Sequence, residues 1–123
     1  PIEIRESATT PDKNVVAYST GNLVSNMSLR GTDGGAVILM ELKRIFNYTR
    51  ATNVRYLLTW IAPKENNGRR DFTIYPAAST IIEGGSDAES KRQLFLKDSR
   101  SLFRKYNKGN IEEMIIDTIR ITR

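Results

Sequence analysis

The chemistry most legible in this chain is phosphate binding. Seven cations (Lys43, Arg44, Arg50, Arg55, Lys64, Arg69 and Arg70) share a stretch with one acid, Glu65, and seven more between Lys91 and Lys108 meet only Asp98. The remainder of the chain is net acidic. Clustering of this kind is the footprint of a phosphate-backbone binder, because neutralising phosphates releases their condensed counterions. Arg outnumbers Lys twelve to seven, which suits bidentate contact with phosphate. Tyr48, Tyr56 and Trp60 interleave with Arg50 and Arg55, so a sheet face carrying them could stack unpaired bases. Lys43, Arg50, Arg55, Tyr56, Arg69 and Arg70 are therefore candidate nucleic-acid contacts. The competing reading is packing. Trp60, Phe72 and Phe95 suit a core, Tyr56 shares a strand face with Trp60, and a basic helix surface serves equally as a solvated face.

Other chemistries find little support. The chain has no Cys and no His, which removes disulfides, thiolate nucleophiles, zinc clusters, haem ligation and imidazole acid–base catalysis. Gly31-Thr32-Asp33-Gly34-Gly35 lacks the spacing and the Lys-Ser/Thr of a phosphate-cradling loop, and reads more simply as a hairpin connection. Gly84-Gly85-Ser86 could hold an anion at a helix start, but Asp87 and Glu89 would repel it there. Asp12, Asp33, Asp71 and Asp87 match no calcium or two-metal spacing, and the adjacent Glu112 and Glu113 diverge on a helix. No catalytic residue, metal or cofactor is expected.

The elements that must position the cations follow from periodicity. At 123 residues one domain is expected over 1–123, mainly β over 1–82 and mainly helical over 86–118. The longest apolar run, Ala36 to Met40, is far short of the ~20 residues of a membrane span, and the acidic Pro1–Glu6 start is unlike a secretory signal. Pro1–Ser7 and Asn14–Tyr18 read as strands around a turn, and Leu23, Ser25, Met27 and Leu29 alternate as a third. Gly35–Tyr48 carries both a strand and a helix pattern. The strand is preferred, because one alternating set is nearly all apolar and a long hairpin with the preceding strand is geometrically easy. Asn53–Ala62 alternates clearly and is expected to end at Pro63. Asp71–Tyr75 resumes the sheet as far as Pro76.

The period then changes. Ser86 and Glu89 fit a capping box, and Ala88, Phe95, Leu102 and Tyr106, widened by Ser99 and Phe103, make the stripe of a helix of about five turns. Gly109 suits a left-handed stop, and Asn110 with Glu113 suggests a second helix bearing Ile111, Met114, Ile115 and Thr118. Leu94 and Leu96 lie off the stripe, so apolar cover exceeds what one subunit needs. Leu94, Phe95, Leu102, Phe103, Tyr106, Ile111 and Ile115 are the expected oligomer interface. The fold class expected is α+β: an antiparallel meander with an N-terminal hairpin, then two C-terminal helices, completed by dimerisation.

This order of elements resembles the coat proteins of single-stranded RNA bacteriophages. The segment Ser86-Asp87-Ala88-Glu89-Ser90-Lys91-Arg92, with Leu94, Leu102 and Ile111-Glu112-Glu113-Met114-Ile115-Ile116, is similar to the helical end of some of them. The likeness covers the last third in pattern and the rest in outline. It implies dimers that share a sheet crossed by the partner's helices, assembly into a shell, and an inward sheet face that binds an RNA hairpin. Arg55 and Thr59 become candidates for that face, and the virion the expected location. Without the resemblance, a cytoplasmic, oligomeric, single-stranded nucleic-acid-binding protein that forms no shell is the alternative. Either way the expected partners are further copies of the chain and RNA or other single-stranded nucleic acid, with no membrane.

Overall fold

The clearest alternation, Val54 to Ala62, becomes the centre of the longest strand and organises everything else. The computed structural model describes residues 1–23, 29, 31–66, 69–80 and 85–116, with side chains outside 63–71. In chain order they form β1 (Ile2–Glu6), β2 (Lys13–Ala17), β3 (Gly34–Ile45), β4 (Tyr48–Asn66), β5 (Arg69–Pro76), α1 (Gly85–Tyr106) and the two-residue β6 (Glu112–Glu113). The architecture is α+β: an open, mixed, six-stranded sheet with one helix packed on it.

One edge of β4 pairs antiparallel with β3, from Ile45↔Tyr48 to Gly34↔Trp60. Its other edge takes three partners end to end: β2 at Arg50, β6 at Arg55 and Tyr56, and β5 from Thr59 onward. Val54, Tyr56, Leu58, Trp60 and Ala62 form the core with Ile2, Ala77, Leu96 and Phe103. Leu57, Thr59 and Ile61, which alternate with them, are buried as well, so the middle of β4 is dry on both faces.

The preferred strand over Gly35–Tyr48 forms, but its long hairpin runs forward to β4. Backwards, among the described residues, β3 meets a short bridge at Gly21. The proposed strand Leu23–Leu29 lies largely outside the described residues. Gly34 and Gly35 are strand positions rather than turn residues. A Cβ on Gly34 would overlap the Thr59 carbonyl oxygen and the Phe95 ring, so glycine is what lets the helix come this close. Pro63 does not end β4, which continues to Asn66 opposite β5. Beyond Trp60 β3 no longer runs alongside, and where that edge has no partner among the described residues it tolerates a residue that lacks N–H.

The helix is rotated from the expected stripe. Its buried residues are Arg92, Leu96 and Phe103, flanked by the half-buried Ala88 and Phe95. Leu96, expected off the stripe, belongs to it, whereas Leu102 and Tyr106 are exposed. The capping box does not form. Glu89 turns forward, accepting from Arg92 Nε at 3.1 Å and Nη2 at 2.5 Å and from Gln93 at 2.8 Å. Arg92 also donates through Nη1 to the Ala77 carbonyl, which ties the helix to the end of β5.

The second helix is absent over the described part of its span. Residues 112–113 pair parallel with β4 instead, and Met114 N–H donates to the Tyr56 carbonyl at 2.7 Å. One or two isolated turns are marginal, and the open β4 edge offers these groups partners that a short helix could not supply. The suggested C-terminal strand and Thr118 lie outside the described residues. Among the described residues no helix is long and apolar enough to cross a membrane.

Replacing Arg92 by Met keeps much of the stem volume but leaves the Ala77 carbonyl unpaired. It should cost about 2 kcal/mol in urea denaturation. A loss within experimental error would show that the fork does not anchor the helix.

Candidate nucleic-acid and assembly surfaces

Two of the expected phosphate contacts are brought together by strand register. Lys43 lies directly opposite Arg50 on β3 and β4, and Lys13 lies beside Arg50 on β2. Register partners project from the same face, so the three cations form one row across the sheet. The row ends on Glu6, paired with Lys13 and opposite it on β1. The hydrogen bond and charge of Lys13, with the charge of Arg50 added, hold the Glu6 carboxyl below the usual carboxylate range. Arg50 Nε and Thr52 Oγ1 are buried without a hydrogen-bond partner. Both residues line a cleft of about 510 Å³ with Lys13, Asn53 and Asn110. A phosphate oxygen is a ligand these donors can satisfy.

This row stands at the root of an arm. From Leu39 through the turn to Thr49 every residue is exposed, so the β3–β4 hairpin projects beyond the core. At its tip Phe46 is 89% exposed and holds φ at +53°, an uncommon conformation for a bulky side chain. Arg44 Nε donates to the Phe46 carbonyl at 3.2 Å, and Tyr48 flanks the turn. Lys13 and Phe46 were not among the sequence candidates. Once 35–48 is a strand turning near Asn47, Lys43 and Arg50 must meet and Phe46 falls at the tip; Lys13 joins them through a β2–β4 pairing that no local pattern signals.

The remaining candidates separate. Arg55 is exposed, but its neighbours are Glu112 in the ladder and Glu41 across a shared cleft, a mixed rather than positive setting. Tyr56 is buried, its ring 4.5 Å from that of Phe103, so it cannot stack on a base. Desolvation, with the charge of Glu113, pushes its phenol up. Thr59 is 2% exposed with its hydroxyl unpartnered, and presents nothing to an RNA. Arg69 and Arg70 open β5, and their side chains lie outside the description.

On the helix, Arg92 is buried and Arg100 is held by Glu113, with Nε at 2.9 and 3.0 Å from its two oxygens. Lys97, Arg104 and Lys105 border a shallow depression beside Arg100. Of the expected interface, Leu94, Leu102, Tyr106 and Ile115 are exposed. Phe95, Phe103 and Ile111 instead pack in the chain's own core, because the helix is turned toward Gly34 and Tyr56. Further exposed apolar side chains stand on the arm: Leu39, Met40, Leu42, Ile45 and Phe46.

Among the described residues no three Asp or Glu side chains gather as a metal site. No known protein family matches the chain, and no characterised protein or solved structure is significantly similar to it.

The β1–β2 loop is tied to the arm by Asp12, whose Oδ1 accepts from Thr49 N–H at 2.9 Å and whose Oδ2 accepts from the Thr10 hydroxyl at 2.5 Å. These bonds, that from Thr10 first, lower the Asp12 pKa. A lowered carboxyl stabilises the fold above its unfolded pKa of ~3.9, and that contribution is lost as pH falls through the lower folded value. Protection of the Thr49 amide in hydrogen exchange, corrected for intrinsic rate, should hold from neutrality to about pH 4 and decline below it. Asp12→Asn should reduce protection at neutral pH; a pH-independent signal in the parent protein would refute the tie.

Proposed function

We propose that this protein is a self-assembling structural protein, a coat or shell subunit, that contacts RNA. The observation that carries the reading is the outer edge of β3. Among the described residues Val37–Ile45 has no strand on that side, yet Leu39, Met40, Leu42 and Ile45 stand exposed along it. Monomeric proteins blunt such edges with bulges, prolines, charged side chains or a covering element, because an open apolar strand templates association; the charges on this edge, Glu41, Lys43 and Arg44, are of both signs and can pair across a second strand. Here the edge lacks a bulge or proline of its own, which supports association as its role.

RNA contact is supported by the row of Lys13, Arg50 and Lys43 at the root of the arm and by Arg44 near its tip. The resemblance to single-stranded RNA phage coat proteins points the same way and would place the chain in a virion. The reading assigns no catalytic residue. A second reading is a small oligomer that binds single-stranded nucleic acid without a shell. The exposed Phe46 beside Arg44 favours it, since an aromatic at the tip of a basic hairpin can stack on a base.

Light scattering in line with gel filtration, recording absorbance at 260 and 280 nm, tests both. Megadalton particles rich in nucleic acid are expected. A small oligomer without nucleic acid would overturn the shell. If that oligomer binds single-stranded oligonucleotides with steep salt dependence, the second reading replaces the first. Arg50→Ala should weaken binding across sequences and reduce the salt slope by about 1.

A further inference from the structure

The free edge of β3 carries information about what covers it. Its residues alternate Leu39, Glu41, Lys43, Ile45 on one face and Met40, Leu42, Arg44 on the other. The hairpin's irregularity falls on the other strand. Between Leu39↔Arg55 and Glu41↔Thr52 the extra residue belongs to β4, where Asn53 takes a φ of +51°. β3 therefore keeps an unbulged edge suited to further pairing. Its first residues are already occupied, because Ala36 N–H donates to the Thr20 carbonyl at 2.7 Å and Asn22 N–H to Gly34 at 3.0 Å. Among the described residues, what is open runs from Val37 to the turn.

We propose that this edge pairs with the same edge of a second copy, antiparallel and two-fold symmetric about Leu42, so that Glu41 of each copy faces Lys43 of the other. The inference rests on the self-assembly reading and names its contact. A two-fold axis normal to a continuous sheet requires a residue at its centre, since faces must match across the ladder. Centring on Glu41 sets two carboxylates opposite each other, and centring on Lys43 sets two ammonium groups opposite each other; both are unfavourable. Centring on Met40 brings Ala36 into the ladder, and its outward N–H is taken by Thr20.

Centring on Leu42 avoids all three conflicts. It forms two Glu41–Lys43 pairs, sets Leu39 against Ile45 twice and Leu42 against Leu42, and lays each Arg44 stem along Met40. The exposed Leu39, Leu42 and Ile45 side chains are then covered by apolar partners. Glu41 Oε1 already accepts from Asn53 Nδ2 at 2.8 Å, which aims the carboxylate and leaves Oε2 for Lys43. With Lys43 engaged across the two-fold, Arg44 and Arg50 are the arm's cations left for phosphate.

The chain has no cysteine, so single cysteines report the register directly. Under oxidised glutathione, which accepts the two electrons released as two thiols join, Leu42→Cys should give a disulfide-linked dimer on a non-reducing gel. Leu39→Cys alone should not, because the two copies of residue 39 lie roughly 20 Å apart along the strands. Leu39→Cys mixed with Ile45→Cys should cross-link although neither does so alone. Independently, Glu41→Lys should weaken dimerisation about tenfold, and adding Lys43→Glu should restore it to within about two-fold.

If Leu42→Cys stays unlinked while the parent protein is oligomeric by light scattering, this pairing is wrong and the assembly reading survives. The same holds if Leu39→Cys links as readily as Leu42→Cys. A parent protein that stays monomeric at ~100 μM, well above the dissociation constants of stable assemblies, overturns both.

Discussion

Every strand in this sheet except β1 is hydrogen-bonded to β4, and the need to pair both edges of that strand shapes the rest of the chain. β3 satisfies one edge from Tyr48 to Trp60. No single strand satisfies the other, so β2, the chain after the helix, and β5 share it. The segment leaving α1 acts as a stitch. Ile4 N–H donates to the Lys108 carbonyl at 2.8 Å and Lys108 N–H to Ile2 at 3.0 Å, after which Met114 N–H reaches Tyr56. Gly109 permits the crossing: its φ is +102°, and a Cβ would come within 2.9 Å of Ile4. The parallel contacts that make the sheet mixed all arise from these insertions.

The second constraint is the helix seat. Phe95 lies against Gly34, Phe103 against Tyr56, and Arg92 reaches the end of β5. Phe95, Phe103 and Ile111, three of the apolar positions that suggest an interface, are thereby consumed within one chain. The basic residues divide in the same way. Arg92 is structural and Arg100 bridges the helix to β6, while Lys13, Arg44 and Arg50 stay near or on the arm with no ion pair among the described residues save that of Lys13 with Glu6. Cations of the last kind are the ones whose contacts with a polyanion would weaken as salt rises.

The arm links fold to proposed function. Both of its strands leave the core together, so burial cannot explain the apolar residues it carries, and the extra residue at Asn53 keeps the irregularity off the outer strand. Cation contact and edge pairing can share one two-stranded ribbon, because the backbone pairing runs in the plane of the sheet; Lys43 is drawn into the pairing, and Arg44 and Arg50 keep their charge for phosphate.

Much of this was legible in the residues. Period-two alternation located β1, β2, β4 and β5, and favoured a strand at β3. The change to helical period located α1, and the absence of Cys and His excluded whole chemistries before any contact was known. Local signals failed where a competing group made a better offer. Asn110-Ile111-Glu112-Glu113 looks like a capped helix, but the unpaired edge at Arg55 and Tyr56 took its backbone. Glu89 looks like half of a capping box, but a buried guanidinium outbid a backbone amide. Arg92 looks like surface, because a charge at the centre of a helix stripe is read as solvated until a carbonyl such as that of Ala77 is found to receive it. The sequence by itself determined element types and the charge available, since these depend on neighbours within a few residues. Only the tertiary structure decided which cations stand together, which aromatics are interior and which edge is open, since those depend on pairings between segments tens of residues apart.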